Sequence, residues 1–375
     1  MKAAIGILVK YADAPAGGPS KRISSQWIAR WSPPQLSQKE VIILYISLYD
    51  LTIERDQLLA NGWFADLEND QWLFLENVPL CAIYNRFPRN QDKEGFDQLV
   101  QKADQLSIPF GNRPEYQGQV WDKWKTHKLF SDTDLLVPET TNDFHQVLEL
   151  CDKYNSVYIK PRFGAFGEGI EVLSQKDQQY QIEGDEKQDI LHLSKRELKT
   201  WLETRQSKEA LIFQQGIEPP FRGLRGFCVR SLVQFTSEDG WLSAPRVARL
   251  SAQDPVANVA RGAQAKPLKD LCNEHWEQKK TQQLLEQMDQ FDKDIAKKLI
   301  EAQQLKLPQH GLLELGVDYV IDGQGQCWLL EINGFPQGRL EKLSMQFPER
   351  FEAHCRAIHH HPLDTLWKWS QKKSL

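Results

Sequence analysis

The sequence predicts a mixed α/β (α+β) protein built from three lobes. The chain has 375 residues, which is more than one ordinary hydrophobic core accommodates. Short apolar runs of strand length alternate with amphipathic stretches of helical period, as in sheets that carry their own helices. Gly-rich segments join two pairs of neighbouring strands and predict hairpins. These observations favour several α+β lobes over a single large core.

The composition narrows the functional classes. Hydrophobic residues make up 41% and charged residues 26% of the chain, and the net charge is -5. This balance suits a soluble globular protein and argues against a general nucleic-acid binder. The six cysteines stand singly, without a CxxC pair, which indicates a reducing compartment and no cysteine-built zinc site. Because no apolar run approaches transmembrane length, we expect a cytoplasmic protein without membrane or nucleic-acid partners.

Both ends of the chain carry weak signals of other kinds. "MKAAIGILVKYADA" has the early lysine and short apolar run of a signal peptide, but Lys10 interrupts the run. Residues 3–9 are therefore predicted to form the first strand. Near the other end, His359, His360 and His361 are adjacent. Adjacent histidines can bind metal, but we predict a solvated tail.

Further elements follow in order along the chain. "WDKWKTHKLF" predicts a helix start with Asp122 near its N-terminus, where a carboxylate is favourable. Ser194 and Glu197 have capping-box spacing and predict another helix start. Strands are predicted at 41–49, 81–88, 156–160, 170–173, 210–217 and 227–235, and further helices at 144–154 and 289–307.

These elements divide the chain into four segments. We predict an N-terminal α/β lobe over residues 1–115 and a second lobe with a Gly-rich loop over residues 116–205. A third lobe is predicted over residues 206–345. Residues 346–375 are predicted to form a C-terminal helix or tail.

The stretch "YIKPRFGAFGEGIEVL" places a lysine at a strand end, ahead of Gly164, Gly167 and Gly169. The order G-x-x-G-x-G differs from the Walker A loop and from the dinucleotide fingerprint, and a strand follows it. Such a hairpin can fold over polyphosphate, because glycines let backbone N–H groups approach the oxygens and Lys160 adds a positive charge. An ordinary Gly-rich turn between strands is the alternative that the spacing leaves open.

A second group of residues lies in "LGVDYVIDGQGQCWLLEIN". Strand alternation puts Glu331 and Asn333 on one face, and a hairpin register can pair Asp318 with Glu331. Two carboxylates and an amide carbonyl suit a Mg²⁺ ion shared with phosphates. Acidic residues beside a hairpin are usually solvated, but Glu331 interrupts an apolar run, where a charge is rarely without a role. Together, a phosphate clamp and magnesium ligands predict nucleotide triphosphate chemistry.

These motifs resemble the ATP-grasp superfamily. Its pattern is a strand ending in Lys-Pro, a G-x-x-G-x-G loop and, later, an acidic strand followed by E-[IV]-N. The corresponding residues are Lys160-Pro161, the three glycines, Asp318 and Glu331-Ile332-Asn333. The chain most resembles the YheC/YheD-type proteins, described as endospore coat-associated, through "AIYNRFP", "NVARGAQAKPL" and "LELGVDYVID". The resemblance implies an ATP-grasp fold with ATP held between two α+β subdomains.

The resemblance also implies how ATP is held. Lys123 and Lys160 would contact its phosphates, and Lys160 would also lie near the adenine. The loop would cover the phosphates through Gly164, Gly167 and Gly169. The adenine edge would be held by the backbone of Gln214, Gln215, Gly216 and Ile217.

The implied activity is an ADP-forming carboxylate–amine ligation. A substrate carboxylate would attack the γ-phosphate of ATP, and an amine or another nucleophile would displace phosphate from the acyl-phosphate. Arg230 would face the γ-phosphate or the acyl-phosphate, and Asn258 and Arg261 would line the reacting centre. Mg²⁺, or Mn²⁺ in its place, would be bound by Asp318, Glu331 and Asn333.

Three departures from the family pattern leave other activities open. Cys228 stands where relatives have Asp, Ala263 replaces the second glycine of "RGG", and Phe335 follows Gly334 where small residues are usual. The departures at Cys228 and Ala263 favour an ATP-binding structural protein with little turnover, such as a spore-associated coat component, whereas the intact Glu331 and Asn333 disfavour it. A kinase on the same fold is the other alternative.

We expect the carboxylate substrate, a small molecule or a peptide, to be acidic. Arginines make the predicted acceptor side basic within an acidic protein. They are Arg222, Arg225, Arg230, Arg246, Arg249 and Arg261. The alternative is that several of these arginines only bind phosphates or pair with surface carboxylates.

Overall fold

The described residues form three β-sheets, and the helices pack against them. The strands and helices form the mixed α+β class that the sequence predicts. None of the described helices is long and apolar enough to cross a membrane. The computed structural model describes residues 3–9, 41–54, 56–66, 68–69, 71–87, 92–113, 120–164, 167–176, 179–184, 190–302, 311–334, 336 and 347–371.

The first sheet is formed by the N-terminal part of the chain. Its order is β1-β2-β3-β4-β5, and β1 also pairs with β4. The helix of this part buries Phe96, Leu99 and Ala103 against the sheet. The sequence predicts β1, β2 and the end of β4, but not β3 or the helix. The elements are β1 (Ala3–Leu8), β2 (Val41–Glu54), β3 (Gln57–Asp66), β4 (Gln71–Asn85), α1 (Lys93–Gln105) and β5 (Phe110–Gly111).

The second sheet contains the strands on both sides of the glycine loop. Its order is β10-β9-β8-β7-β11-β6. The capping box of Ser194 and Glu197 is confirmed, because each side chain accepts a hydrogen bond from the other residue's backbone N–H. The elements are α2 (Lys123–Phe130), β6 (Thr140–Thr141), α3 (Val147–Lys153), β7 (Ser156–Pro161), β8 (Glu171–Lys176), β9 (Gln179–Glu183), β10 (Leu191–Leu193), α4 (Lys195–Lys208) and β11 (Leu211–Gln215).

The third sheet carries the predicted metal-binding hairpin. Its order is β15-β14-β12-β16-β17, with β13 paired to β12. The long helix of this part begins at Gln278, earlier than the sequence predicts, and packs an apolar face on the sheet. The elements are β12 (Gly226–Thr236), β13 (Gly240–Ser243), β14 (Val247–Ser251), β15 (Gln264–Pro267), α5 (Leu268–His275), α6 (Gln278–Ala302), β16 (Glu314–Ile321) and β17 (Cys327–Asn333).

The last helix, α7 (Pro348–Gln371), joins the first and third sheets. Its buried Leu363, Leu366 and Trp369 form one apolar cluster with buried side chains of strands β1, β2 and β4. The predicted solvated tail at residues 359–361 is therefore wrong, since these residues lie within α7. His361 is half-buried and hydrogen-bonds to the Gln234 side chain of β12 at 3.0 Å.

A buried carboxylate, Glu314, links the same two sheets by hydrogen bonds. Its side chain is fully buried at the start of β16. It accepts hydrogen bonds from Gln234 at 2.7 Å, Asn112 at 3.1 Å and Arg86 at 3.3 Å, and it also bonds the Tyr84 hydroxyl. A buried charge is tolerated only with such partners, so the cluster fixes how the first lobe sits on the third.

A second buried carboxylate, Asp292, fastens α6 to its sheet. It is fully buried and accepts hydrogen bonds from Ser231 and Tyr319 of the sheet and from Ser243 at the end of β13. It also forms a 2.6 Å ion pair with Arg246, whose side chain is 5% exposed. Arg246 is thus a structural residue rather than part of a basic acceptor surface.

We expect Asp292→Ala to destabilise the protein by about 3–5 kcal/mol, because it leaves the Arg246 guanidinium buried without this partner. Urea titration followed by tryptophan fluorescence measures the change. Asp294→Ala is the matched control, since Asp294 is exposed on the same helix and should cost no more than about 0.5 kcal/mol. Equal midpoints for the two variants would contradict this role of Asp292.

Candidate functional site

The predicted metal ligands lie together on hairpin β16–β17. Asp318 pairs directly with Glu331, in the register that the sequence predicts, and the register shifts by one residue immediately afterwards. The Asn333 amide Nδ2 lies 3.2 Å from an Asp318 oxygen and 3.1 Å from a Glu331 oxygen. The three side chains therefore converge, and only the shift after Asp318 was not predicted.

The donor set of this group fits a hard divalent cation. Two carboxylates and an amide are oxygen ligands of the kind Mg²⁺ prefers. Among the described residues, no group of three or more His, Cys, Asp or Glu could hold a metal ion, so the Asn333 amide would have to supply the third oxygen. Its nitrogen now donates to both carboxylates, and a half-turn of the amide would present its oxygen instead.

Arg230 forms a bidentate ion pair with Asp318. Arg230 lies directly across from Asp318 on β12, and its Nε and Nη2 donate to the two carboxylate oxygens at 2.5 and 2.6 Å. A second guanidinium, that of Arg249, approaches the same carboxylate at 3.7 Å. Burial raises the pKa of Asp318, but Arg230 and then Arg249 outweigh it, so that its pKa lies below the ordinary value. Asp318 is therefore ionised at neutral pH.

Lys160 faces this hairpin from the second sheet. It is 8% exposed, and its Nζ donates a 2.5 Å hydrogen bond to the Gln214 side chain, which lies on the neighbouring strand β11. Burial lowers the pKa of Lys160 to about 8, although Glu331 partly opposes this effect. A buried lysine beside a single amide is poorly compensated, which is the electrostatic setting of an anion site.

The start of α2 is fixed beside the glycine loop. Asp122 caps the helix by accepting the Trp124 and Lys125 backbone N–H groups. Asp122 also forms a bidentate pair with Arg162, at 2.7 and 2.6 Å. Lys123 consequently lies next to the loop, where its Nζ donates to the Gly164 carbonyl at 2.7 Å.

Two of the three loop glycines have backbone conformations that favour glycine. Gly167 has φ +76° and Gly169 has φ +69°, the left-handed region that costs other residues energy. A side chain at Gly167 would also meet Val256 at 2.9 Å. Gly164 has neither constraint and contacts Lys123 instead. Residues 165–166 lie outside the described residues.

The predicted adenine-binding stretch spans the last two residues of β11 and the two residues after it. Gln214 is 3% exposed between Lys160 and Thr140. Gln215 exchanges hydrogen bonds with the backbone of Glu139 through its own N–H and its side-chain oxygen. Gly216 is required by close approach, since a Cβ there would lie 2.0 Å from Ser156 Oγ. Ile217 packs against the core of the third lobe, so this stretch joins the two lobes.

A narrow cleft lies between the second and third sheets, and four of the predicted site residues line it. Lys123, Lys160 and Gln214 line it from one side and Glu331 from the other. His127, which was not predicted as a site residue, also lines the cleft, and its Nδ1 has no hydrogen-bond partner among the described residues. A lone histidine on a short helix carries no signal in sequence. The rest of the cleft has an apolar lining that suits a nucleotide base. The lining residues are Val120, Phe130, Val137, Ile212, Leu329, Leu330 and Ile332.

Asn258 and Arg261 lie in the loop after β14. The backbone carbonyl of Asn258 accepts the N–H groups of Arg261 and Ala263, which closes a turn. Arg261 pairs with Asp254 and donates to the Gly167 carbonyl at 3.0 Å. These contacts place both predicted residues beside the glycine loop.

Most of the predicted basic surface is neutralised. Arg225 pairs with Glu183, and Arg230, Arg246 and Arg261 each pair with an aspartate, while Arg249 lies near Asp318. Only Arg222, which is exposed, has no acidic partner assigned among the described residues. The arginine count alone therefore does not support an acidic substrate.

The family follows from comparison with known proteins. A model described as "YheC/D like ATP-grasp" matches residues 114–358, more than half of the chain. The chain belongs to the YheC/D-like ATP-grasp family. The endospore coat-associated protein YheD of Bacillus subtilis (strain 168) is 23% identical over 298 residues, which are 76% of this chain and 61% of that protein. This YheC/D-like chain thus spans about three fifths of the length of that curated relative.

The solved structure of one ATP-grasp ligase confirms the ATP-grasp fold of this YheC/D-like protein. The ATP-grasp ligase PsnB, complexed with a minimal precursor, matches with a TM-score of 0.51 at 14% identity, over 97% of this chain and 98% of that chain. D-alanyl-alanine synthetase A from Vibrio cholerae has a TM-score of 0.48 at 13% identity, over 98% of this chain and 99% of that chain. At these identities the likeness concerns the fold alone.

We expect nucleotide affinity to fall roughly tenfold between pH 7 and pH 9. Lys160 has a pKa of about 8, so its side chain loses its positive charge across this range. A terminal phosphate, with a pKa near 6, stays ionised. Calorimetry of Mg·ADP binding at pH 7, 8 and 9 measures the change. Lys160→Arg, which stays charged, should remove the pH dependence. An unchanged profile in that variant would show that another group titrates.

Proposed function

We propose that this protein is an ATP- and Mg²⁺-dependent, ADP-forming ligase that activates a carboxylate as an acyl-phosphate. A single observation carries the proposal. Lys160 from the second sheet and Glu331 from the third line the same cleft, so a phosphate-binding cation and a metal-binding carboxylate face one space. The family membership supports ATP as the nucleotide.

The cleft has one surface that suits the base of a nucleotide and another that suits its phosphates. The apolar side chains of the cleft, among them Phe130, would contact the adenine. The backbone of Gln214, Gln215, Gly216 and Ile217 would hold its polar edge. Lys123 and Lys160 would bind the phosphates. Asp318, Glu331 and Asn333 would hold Mg²⁺, which supplies charge neutralisation at the transferring phosphate when bound.

Arg230 is the residue that we propose stabilises the transferring phosphoryl group. Its guanidinium is held by both oxygens of Asp318, and it lies over Gly316, where a Cβ would come within 2.7 Å of it. This placement fixes a positive charge beside the metal ligands before the reaction begins. Such preorganised charge is a large part of catalysis in phosphoryl transfer.

The proposed chemistry needs no covalent enzyme intermediate. Cys228 lies two residues before Arg230 on β12. Burial raises its pKa to about 11, so it is a neutral thiol near pH 7 and a poor nucleophile. The acyl group would instead pass from the phosphate directly to an amine or another nucleophile.

A second candidate function is ATP binding with little turnover. The curated relative is named an endospore coat-associated protein, and Asp318 is already occupied by Arg230. A carboxylate held so closely would have to exchange a partner to bind metal. This candidate predicts nucleotide binding without ADP release.

The acceptor is proposed by chemical class only. PsnB is a ligase whose structure was solved with a minimal precursor, so we include a peptide carboxylate beside small carboxylates. Because most arginines near the site are paired with acidic side chains, we assign no general preference for acidic substrates.

Mg·ATP binding and ADP release separate these candidates. We expect Lys160→Ala to weaken Mg·ATP binding by about 10–100-fold, since it removes a charged hydrogen bond to phosphate. Glu331→Gln should keep most nucleotide binding but abolish ADP release in the presence of a panel of carboxylates and amines. Calorimetry and a coupled ADP assay on the same samples give both readouts.

Two matched controls test whether these effects are local. Lys125→Ala removes an exposed lysine of α2, and Glu301→Gln alters an exposed glutamate at the end of α6, so both should behave as wild type. Binding without any ADP release would favour the second candidate. Phosphate retained on the acceptor would indicate a kinase, and absence of nucleotide binding would refute both proposals.

A further inference from the structure

The loop after β14 contacts the second sheet at several points. Arg225 donates to the Gln253 carbonyl at 3.0 Å and pairs with Glu183 of β9. The Tyr158 hydroxyl of β7 donates to the Pro255 carbonyl at 3.3 Å. These contacts bring the loop after β14, residues 252–263, beside the second half of the glycine loop, residues 167–170.

One contact joins the two segments directly. Arg261 Nη1 donates to the Gly167 carbonyl at 3.0 Å. Its Nε and Nη2 donate to a single Asp254 oxygen at 3.1 and 2.7 Å. A guanidinium held from one edge presents its remaining donors in a fixed direction. The direction here is toward the backbone of the glycine loop.

Asp254 is itself held in place by its own chain. Its other carboxylate oxygen accepts the Val256 N–H at 2.8 Å, and its backbone N–H donates to the Ser251 hydroxyl at 2.9 Å. The carboxylate therefore has few orientations left when Arg261 binds it. Val256 also lies against Gly167, where any Cβ would be 2.9 Å away.

We propose that Asp254 is a positioning residue that aims Arg261 at the Gly167 carbonyl and so clamps residues 167–170 to the third lobe. The clamp rests on the proposed function in one respect, namely that this segment lies beside bound phosphates. It gives Arg261 a different role from the reacting-centre role that the resemblance implies. In this role Arg261 controls how long the nucleotide stays bound.

The competing explanation is that Asp254 only stabilises its own turn. Three substitutions separate the roles. Asp254→Asn keeps an oxygen that accepts the Val256 N–H but removes the charge that holds Arg261. Asp254→Ala removes both. Arg261→Lys keeps the positive charge but loses the planar fork that reaches Asp254 and Gly167 together.

The test measures amide hydrogen exchange of the full-length protein without nucleotide, over a peptide that spans residues 167–173. We expect Asp254→Asn and Arg261→Lys each to raise exchange there about tenfold, the effect of losing one charge-assisted hydrogen bond. Asp239→Asn is the matched control, since Asp239 is exposed in the β12–β13 turn, and it should change nothing in this peptide.

Release of Mg·ADP supplies a second readout. Stopped-flow displacement of a fluorescent ADP analogue should show about tenfold faster dissociation in both variants, with the association rate unchanged. Faster exchange confined to Asp254→Ala would show a turn-only role and overturn the proposal, as would wild-type exchange in Asp254→Asn. If the wild type binds no Mg·ADP, the proposed function fails, while the exchange data still decide whether the clamp exists.

Discussion

The antiparallel pairing of β12 with β16 is the constraint on which the candidate site depends. It places Arg230 directly across from Asp318, so a buried carboxylate in the middle of a sheet has a compensating charge on the adjacent strand. Without that cation, Asp318 would be too costly to bury in ionised form. Because Asp318 also faces Glu331 on the other side, one row across three strands holds a cation and two anions in fixed order. Lys160 then meets this row from the opposite wall of the cleft.

Local patterns in the sequence were sufficient to predict much of this arrangement. Alternation along the two strands allowed a hairpin register that pairs Asp318 with Glu331, and the observed pairing matches it, although a register shift separates this pair from the turn. Helix caps are equally local, because Asp122 and Ser194 act on N–H groups within three residues. The apolar run ending at Lys160 marked a strand with a charge at its end. Each of these inferences needs contacts only between near neighbours in sequence, or within one hairpin.

The rest depends on contacts between residues that are far apart in sequence. Nothing in a helical pattern distinguishes Asp292, which is fully buried, from the exposed Asp294 beside it. Glu314 gains three of its partners, Tyr84, Arg86 and Asn112, from positions more than two hundred residues earlier. The arginines after residue 220 looked like a basic surface because their aspartate and glutamate partners come from other elements. His361 looked solvated for the same reason, since its hydrogen-bond partner Gln234 lies on β12, far earlier in the sequence.

The packing of α7 also affects the order in which the protein can fold during synthesis. Its buried Leu366 and Trp369 complete an apolar cluster with Ile5 and Ile7 of the first strand. Those strand residues are made before the helix that covers them. Until that helix has been translated, this face of the first sheet lacks its apolar cover. Contacts of such long range slow folding, so the first sheet reaches its final packing only after α7 has been made.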